Sequence, residues 1–348
     1  MFVFRMESPL VNAAPSRDRS PVTAPNWHAI LEAHRRVAPH IHRTPVLTSG
    51  SLDALARAQL FFKCENLQKT GSFKIRGATN AIFSLTEEEA AHGVVTHSSG
   101  NHAAAVAYAA RQRGIPAWIV MPSNAPAVKA RAVEAYGGRI TFCEPTIPAR
   151  AETAARIERQ TGAVMVHPYD DNRIIAGQAT AAKELLEEVP DLDAILAPVS
   201  GGGLLSGTSL AAKSMRPAIH VFGCEPERAD DAYRSLSTHQ LQQLDKSDTI
   251  ADGLRAPLAP RTLAILERNV ERILLVSEAE IVSAMRTVWE RMKIIIEPSS
   301  AVAVAPLLRA EGAAILGLPP RSDSQPPRIG VILSGGNVDL SSLPFRSS

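Results

Sequence analysis

Cysteine is scarce in this chain of 348 residues: Cys64, Cys143 and Cys224 are too few and too far apart for a disulfide framework or a zinc site. Each sits in an apolar, strand-like run, so all three read as buried thiols of a reducing, cytoplasmic compartment. No apolar run approaches the ~18 residues that a membrane-spanning helix needs, which points to a soluble chain with no membrane partner. Charge of one sign is also missing as a feature. Lys and Arg number 37 against 35 Asp and Glu, the net charge is +2, and no basic run exceeds two residues. Nucleic acid and anionic lipid are thereby excluded as partners. No repeat of fixed period is present, so solenoids and propellers are excluded as well.

What remains is an enzyme-sized α/β pattern. The length allows two domains or one large one. Residues 1–25, rich in Ser, Pro, Ala and Arg, read as a disordered tail. Arg5, Arg17 and Arg19 would suit an organellar leader, but Glu7 and Asp18 count against it. Helical spacing predicts a helix from Trp27 to Val37, and strands are expected at 45–47 and 60–64, with a helix at 51–58 between them. A helix over 73–85 should end at the acidic cluster Glu87-Glu88-Glu89. From Gly93 short apolar runs alternate with alanine-rich helices (strands at 94–96, 117–121 and 139–143, helices at 101–113 and 125–136), the signature of a parallel sheet. A second alternation has strands at 194–199, 220–224, 272–276 and 329–333, with a long loop from 224 to Pro260. Two such units imply a cleft, and ligands in parallel sheets bind beyond the carboxyl ends of the strands.

Four stretches stand at such strand ends. After Leu60-Phe61-Phe62-Lys63-Cys64 comes Gln68-Lys69-Thr70-Gly71-Ser72-Phe73-Lys74-Ile75-Arg76-Gly77. Thr70, Gly71 and Ser72 supply turn and cap chemistry, which places Lys74 in the first turn of a helix. A cation there opposes the helix dipole, and its apolar neighbours disfavour charge, so the amine pKa should fall as a Schiff-base lysine requires. The competing reading is a lysine that packs its stem and reaches water with its ammonium.

Thr96-His97-Ser98-Ser99-Gly100-Asn101-His102 opens a helix and suits a carboxylate, unless Ser99 or Asn101 is merely the capping residue. Ser200-Gly201-Gly202-Gly203-Leu204 can close backbone amides around a phosphate. It is neither a P-loop nor a full dinucleotide fingerprint, although Glu225 stands where a ribose-binding acid would lie. Leu333-Ser334-Gly335-Gly336-Asn337 ends the last strand and offers a hydroxyl to a ring nitrogen, or is an ordinary turn. An imine-forming amine, a phosphate cradle, a hydroxyl for a heteroaromatic nitrogen and a carboxylate site together suit pyridoxal 5'-phosphate (PLP).

With Ile174 to Gln178, Thr249 to Gly253 and Asn337-Val338-Asp339, these motifs follow one another in an order that resembles the serine racemase and serine/threonine dehydratase family, from about Trp27 onward. The resemblance implies an α/β chain of PLP fold type II, the tryptophan synthase β-like fold, with two domains, each a mainly parallel sheet flanked by helices. Residues 26–90 and 169–348 would form the large PLP-binding domain and residues 91–168 a small mobile one.

It implies Lys74 as the cofactor lysine, Phe73 against the cofactor ring and Asn101 on its phenolic oxygen. Gly201, Gly202, Gly203 and Leu204 would hold the phosphate, and Ser334 the pyridine nitrogen. Ser98, Ser99, Gly100, Asn101, His102 and Arg150 would bind substrate, with Ser99 facing Lys74 across the substrate Cα as the second acid–base group. Glu225, the carbonyl of Ala229 and Asp231 resemble the family's divalent-cation site, where oxygen ligands suit Mg2+, with Ca2+ or Mn2+ as alternatives. A homodimer, with ATP as an allosteric activator, is also implied. The expected reaction is racemisation of serine with side elimination to pyruvate and ammonia. The alternative is dehydration of threonine, serine or 3-hydroxyaspartate with little racemisation, because Tyr169 stands where mammalian racemases carry asparagine.

Overall fold

The computed structural model describes residues 23–125, 127–244, 247–321 and 324–345, so the tail expected at 1–25 falls outside it apart from residues 23–25. Asn26 accepts the Ala29 amide at 2.9 Å and starts α1 (Trp27–Val37). The chain continues through β1 (Val46–Leu47), α2 (Gly50–Ala56), β2 (Gln59–Cys64), α3 (Lys74–Phe83) and α4 (Glu87–Ala91). Next come β3 (Val94–His97), α5 (Asn101–Arg113), β4 (Ala117–Pro122), α6 (Ala127–Ala135), β5 (Arg139–Cys143), α7 (Ile147–Thr161) and β6 (Val164–Met165). The remainder is α8 (Asn172–Glu188), β7 (Ala194–Pro198), α9 (Gly203–Met215), β8 (His220–Pro226), α10 (Asp231–Thr238), α11 (Pro260–Asn269), β9 (Arg272–Val276), α12 (Glu278–Met292), α13 (Pro298–Ala301) and β10 (Arg328–Leu333).

Two sheets result. The larger has the order β1-β2-β10-β7-β8-β9 and is parallel except for β1 against β2; the smaller, β5-β4-β3-β6, is parallel throughout. Parallel sheets need both faces covered. On one face of the larger sheet Leu52, Met285, Val288 and Leu307 pack with the strands, and on the other Ile30, Leu185, Leu205 and Leu266. α5 and α6 cover one face of the smaller sheet, with α3 packed on α5, and α7 covers the other.

Helix α8 is buried from Ile174 to Leu186 and touches two neighbours backbone to backbone. A Cβ on Gly177 would lie 2.6 Å from the Arg76 carbonyl oxygen and from Gly77 Cα on α3, and a Cβ on Gly207 of α9 would lie 2.6 Å from Ile175 O and Ala179 N on α8. Among the described residues no helix is long and apolar enough to cross a membrane.

Three expectations change. The helix over 73–85 stops at Phe83, and the acidic cluster begins α4 instead: Thr86 Oγ1 accepts the Glu89 amide while Glu89 Oε2 accepts the Thr86 amide, a reciprocal cap. The long loop before Pro260 contains α10, whose first-turn Asp231 and apolar Ala232 and Leu236 were too brief a pattern to stand out. Cys64 and Cys224 are buried, but Cys143 is only half-buried, because β5 is an edge strand.

Candidate active site

Between β2 and α3 the backbone turns on Thr70 and Gly71, both left-handed at φ 61° and 73°. A side chain at Gly71 would collide with Asn337, its Cβ 2.3 Å from Oδ1. The tip of this loop is tied to the end of β10: Gly336 N donates to Gly71 O at 2.9 Å and Phe73 N to Ser334 O at 3.0 Å. Ser72 caps nothing, since its hydroxyl is buried without a partner. Lys74 opens α3, its Nζ donating to the Pro168 carbonyl at 3.0 Å and lying 5.2 Å from the Phe73 ring centre. Burial lowers the amine to about 8, with Glu297 acting the other way.

At the start of α5, Gly100 occupies the cap position without a side-chain bond, so neither Ser99 nor Asn101 is a capping residue. Ser98 Oγ accepts the Gly100 amide at 3.3 Å. His102 is buried with Nε2 3.1 Å from Val166 O and Nδ1 unpartnered. Two further histidines lie here: His97, which stood in the sequence motif without an assigned role, and His167, which the sequence did not single out. The His97 and His167 rings stand edge to face at 6.1 Å, and His167 accepts the Asp170 amide at 2.8 Å. Burial, then His97, drives His167 down to about 4; burial, then Lys74, holds His102 well below its usual range; burial and Arg150 lower His97. Three neutral imidazoles therefore line the site near pH 7. Arg150 stands near the start of α7, with a buried Nε that has no partner.

Asn101 is held from two sides. Its Nδ2 donates to Glu297 at 2.9 and 3.1 Å, and its Oδ1 accepts from Asn337 Nδ2 at 2.9 Å. Burial, then Asp252, pushes the Glu297 carboxyl up to about 7. Glu297 carried no motif in the sequence, and Asn337 lay inside one without an assigned role.

Gly201, Gly202, Gly203 and Leu204 are buried at the amino end of α9. A Cβ on Gly201 would lie 2.3 Å from the Tyr169 ring, and Gly202 adopts φ +88°. Ser334, 2% exposed, follows β10 directly, where the Leu333–Cys64 pair ends the register with β2.

Glu225 at the end of β8 and Asp231 at the start of α10 are each 1% exposed. Glu225 accepts the amides of Ala232 at 3.0 Å and Tyr233 at 2.8 Å, and Asp231 accepts that of Leu258 at 3.0 Å. Burial, then Asp231, holds Glu225 well above the usual carboxylate range, and burial pushes Asp231 up to about 6. Ala229, also buried, ends the turn between them. Among the described residues no group of three His, Cys, Asp or Glu side chains is placed to hold a metal ion, so this place offers two carboxylates and a carbonyl.

The chain is 50% identical over 322 residues to the beta-hydroxyaspartate dehydratase of Paracoccus denitrificans, covering 92% of this chain and 99% of that one. It is also 50% identical over 316 residues to the serine racemase of Dictyostelium discoideum, covering 90% and 95%. The structure of maize serine racemase superposes with a TM-score of 0.87 at 46% identity, covering 92% of this chain and 95% of that one. Residues 37–318 match the family described as "Pyridoxal-phosphate dependent enzyme". The two mainly parallel sheets, with a lysine loop after β2 and a glycine turn after β7, are thus those of PLP fold type II, and the chain belongs to the pyridoxal-phosphate dependent enzyme family.

Proposed function

We propose that the protein is a PLP-dependent serine racemase, interconverting L- and D-serine and, as a second reaction, eliminating water from serine to give pyruvate and ammonia. The observation that carries this is the Lys74 amine, held on a backbone carbonyl and lowered to about 8 by burial. A lysine kept so close to neutrality is matched to imine chemistry and to proton transfer near physiological pH.

The surrounding residues fit the cofactor. A Cβ at Gly201 would meet Tyr169 and one at Gly202 would meet Thr262, so only glycines leave the turn's amides this close to the helix start, where a phosphate is favoured. Ser334 brings a hydroxyl for the ring nitrogen, Asn101 an amide for the phenolic oxygen, and Phe73 a ring face. When bound, the cofactor supplies an electron sink for the substrate Cα–H bond.

The chain's own groups then do the proton work. Ser98, Ser99, Gly100, Asn101 and His102 bind the substrate carboxylate at the amino end of α5. Lys74 Nζ holds the proton on one face of Cα and the Ser99 hydroxyl serves the other, so each can take what the other gives. In elimination Lys74 takes the Cα proton and passes it to the departing β-hydroxyl, which leaves as water, and the remaining enamine takes up water to give pyruvate and ammonia. Glu225, Asp231 and the Ala229 carbonyl hold a divalent cation such as Mg2+, whose charge would offset the repulsion between two buried carboxylates.

A second reading, dehydration of 3-hydroxyaspartate, has two observations in its favour: the identity to the Paracoccus denitrificans dehydratase and the unpartnered Arg150 Nε, which suits a second carboxylate. Borohydride reduction followed by peptide mapping should leave the cofactor on Lys74, and chiral chromatography should show D-serine formed from L-serine beside pyruvate. Pyruvate without D-serine would transfer the assignment to the dehydratase, and a chain that takes up no PLP would remove both readings.

A further inference from the structure

Arg76, two residues beyond Lys74, is fully buried and uses all five of its N–H donors. Nε and Nη2 donate to the two oxygens of Glu65 at 2.7 and 2.8 Å. Nη1 and Nη2 donate to the two oxygens of Glu184 at 2.9 and 2.8 Å, and Nη1 also donates to Thr180 Oγ1 at 3.1 Å. Lys63 completes a charge-balanced set, giving 2.7 Å to Glu184 and 2.6 Å to the Thr44 carbonyl. Although burial opposes it, this company holds the Glu184 carboxyl at about 2.

Burying four charges is costly, and apolar residues of similar volume usually stabilise a fold as well or better. The network's place in the chain gives a different reason for it. Glu65 directly follows β2 and Arg76 lies in the first turn of α3, so their two-pronged pair closes the base of the segment that carries Lys74. Its tip is already fixed by Gly71, Ser72 and Phe73 against residues 334–336. Glu184 fastens the closed base to α8, which also touches the glycine-turn helix α9.

We propose that Arg76 is a positioning residue: by joining Glu65 to Glu184 it sets where the Lys74 amine stands relative to the substrate Cα. This rests on Lys74 being the cofactor lysine. A displacement of about 1 Å at a reacting group can cost on the order of 100-fold in rate, so the effect should appear in turnover more than in binding.

The test compares Arg76→Lys with Lys63→Met in the holoenzyme. Each removes part of the network, but Lys63 is bonded to neither Arg76 nor Glu65. Both variants should have a lowered Tm. Arg76→Lys alone should alter the visible circular dichroism of the bound cofactor and lower kcat for L-serine about 10- to 100-fold, with KM within about 2-fold. A folded Arg76→Lys enzyme with parental dichroism and parental kcat per bound cofactor would overturn the assignment, as would an equal kcat loss in Lys63→Met. Should Arg76→Lys fail to fold, Glu65→Gln preserves shape while weakening one arm and is read in the same way. Borohydride labelling of the parent separates the two claims: label on Lys74 leaves only the positioning role at stake, whereas label elsewhere removes the Lys74 reading and this one with it.

Discussion

Burial acts on two kinds of cation at the site, and the sign of each shift has a measurable result. His167 titrates near 4 in the fold and near 6.5 when unfolded. Above pH 6.5 neither state is charged; between 6.5 and 4 only the unfolded chain takes the proton, so stability falls as pH falls through that window. At 1.36 kcal/mol per unit the loss is up to about 3 kcal/mol for His167, and His97 and His102 act in the same sense. The Tm of the cofactor-free chain should therefore drop steeply below pH 6.5, and His167→Asn, which keeps an acceptor for the Asp170 amide, should flatten the slope. Ser99→Ala should lower D-serine formation from L-serine by about 100-fold or more while leaving pyruvate formation within about 10-fold, since a general acid–base group contributes on that scale. Equal loss of both products would count against a proton carrier on each face. Lys74 was legible because an amine between Phe73 and Ile75 at a helix start is chemically odd. Glu297 and His167 were not, for only the folded chain sets them against Asn101 and His97.

Among the elements, α8 does the most to set the geometry and was the least readable. A surface helix announces itself by a polar face, but α8 is buried for most of its length, with Lys183 and Glu184 turned inward, so no period stood out. Helix α5 and strands β5 and β9, by contrast, keep the expected bounds, because their apolar runs are cut off by Gly114, Glu144 and Ser277. The close crossings of α8 make a direct prediction. Gly177→Ala places a methyl 2.6 Å from backbone atoms of α3 that cannot step aside alone, and should cost about 2–3 kcal/mol, seen as a fall in Tm. Gly50→Ala, with no atom within 4 Å of the added carbon, should stay within about 0.5 kcal/mol.

For the molecule as a whole, the divalent-cation reading links the end of β8 to global stability. Chelation should lower both Tm and turnover, and Mg2+ should restore them, because a ligand that binds only the folded state stabilises it by mass action. Glu225→Ala should be blind to both treatments; a variant that still responds would move the cation elsewhere. The two α/β units were readable from alternation alone, whereas the order of strands was not, since periodicity does not say which strand lies beside which. The placement of β10 has a consequence for how the protein is made. It lies between β2 and β7, and its first residue, Arg328, pairs with Gln59, 269 positions earlier. Pairings this distant in sequence are slow to form. During synthesis the ribosome must deliver the chain past Gly336 before the Lys74 loop acquires the strand end that pins it. Until then β2 and β7 present open edges, and the nascent chain is at its most dependent on chaperones and most exposed to misassembly.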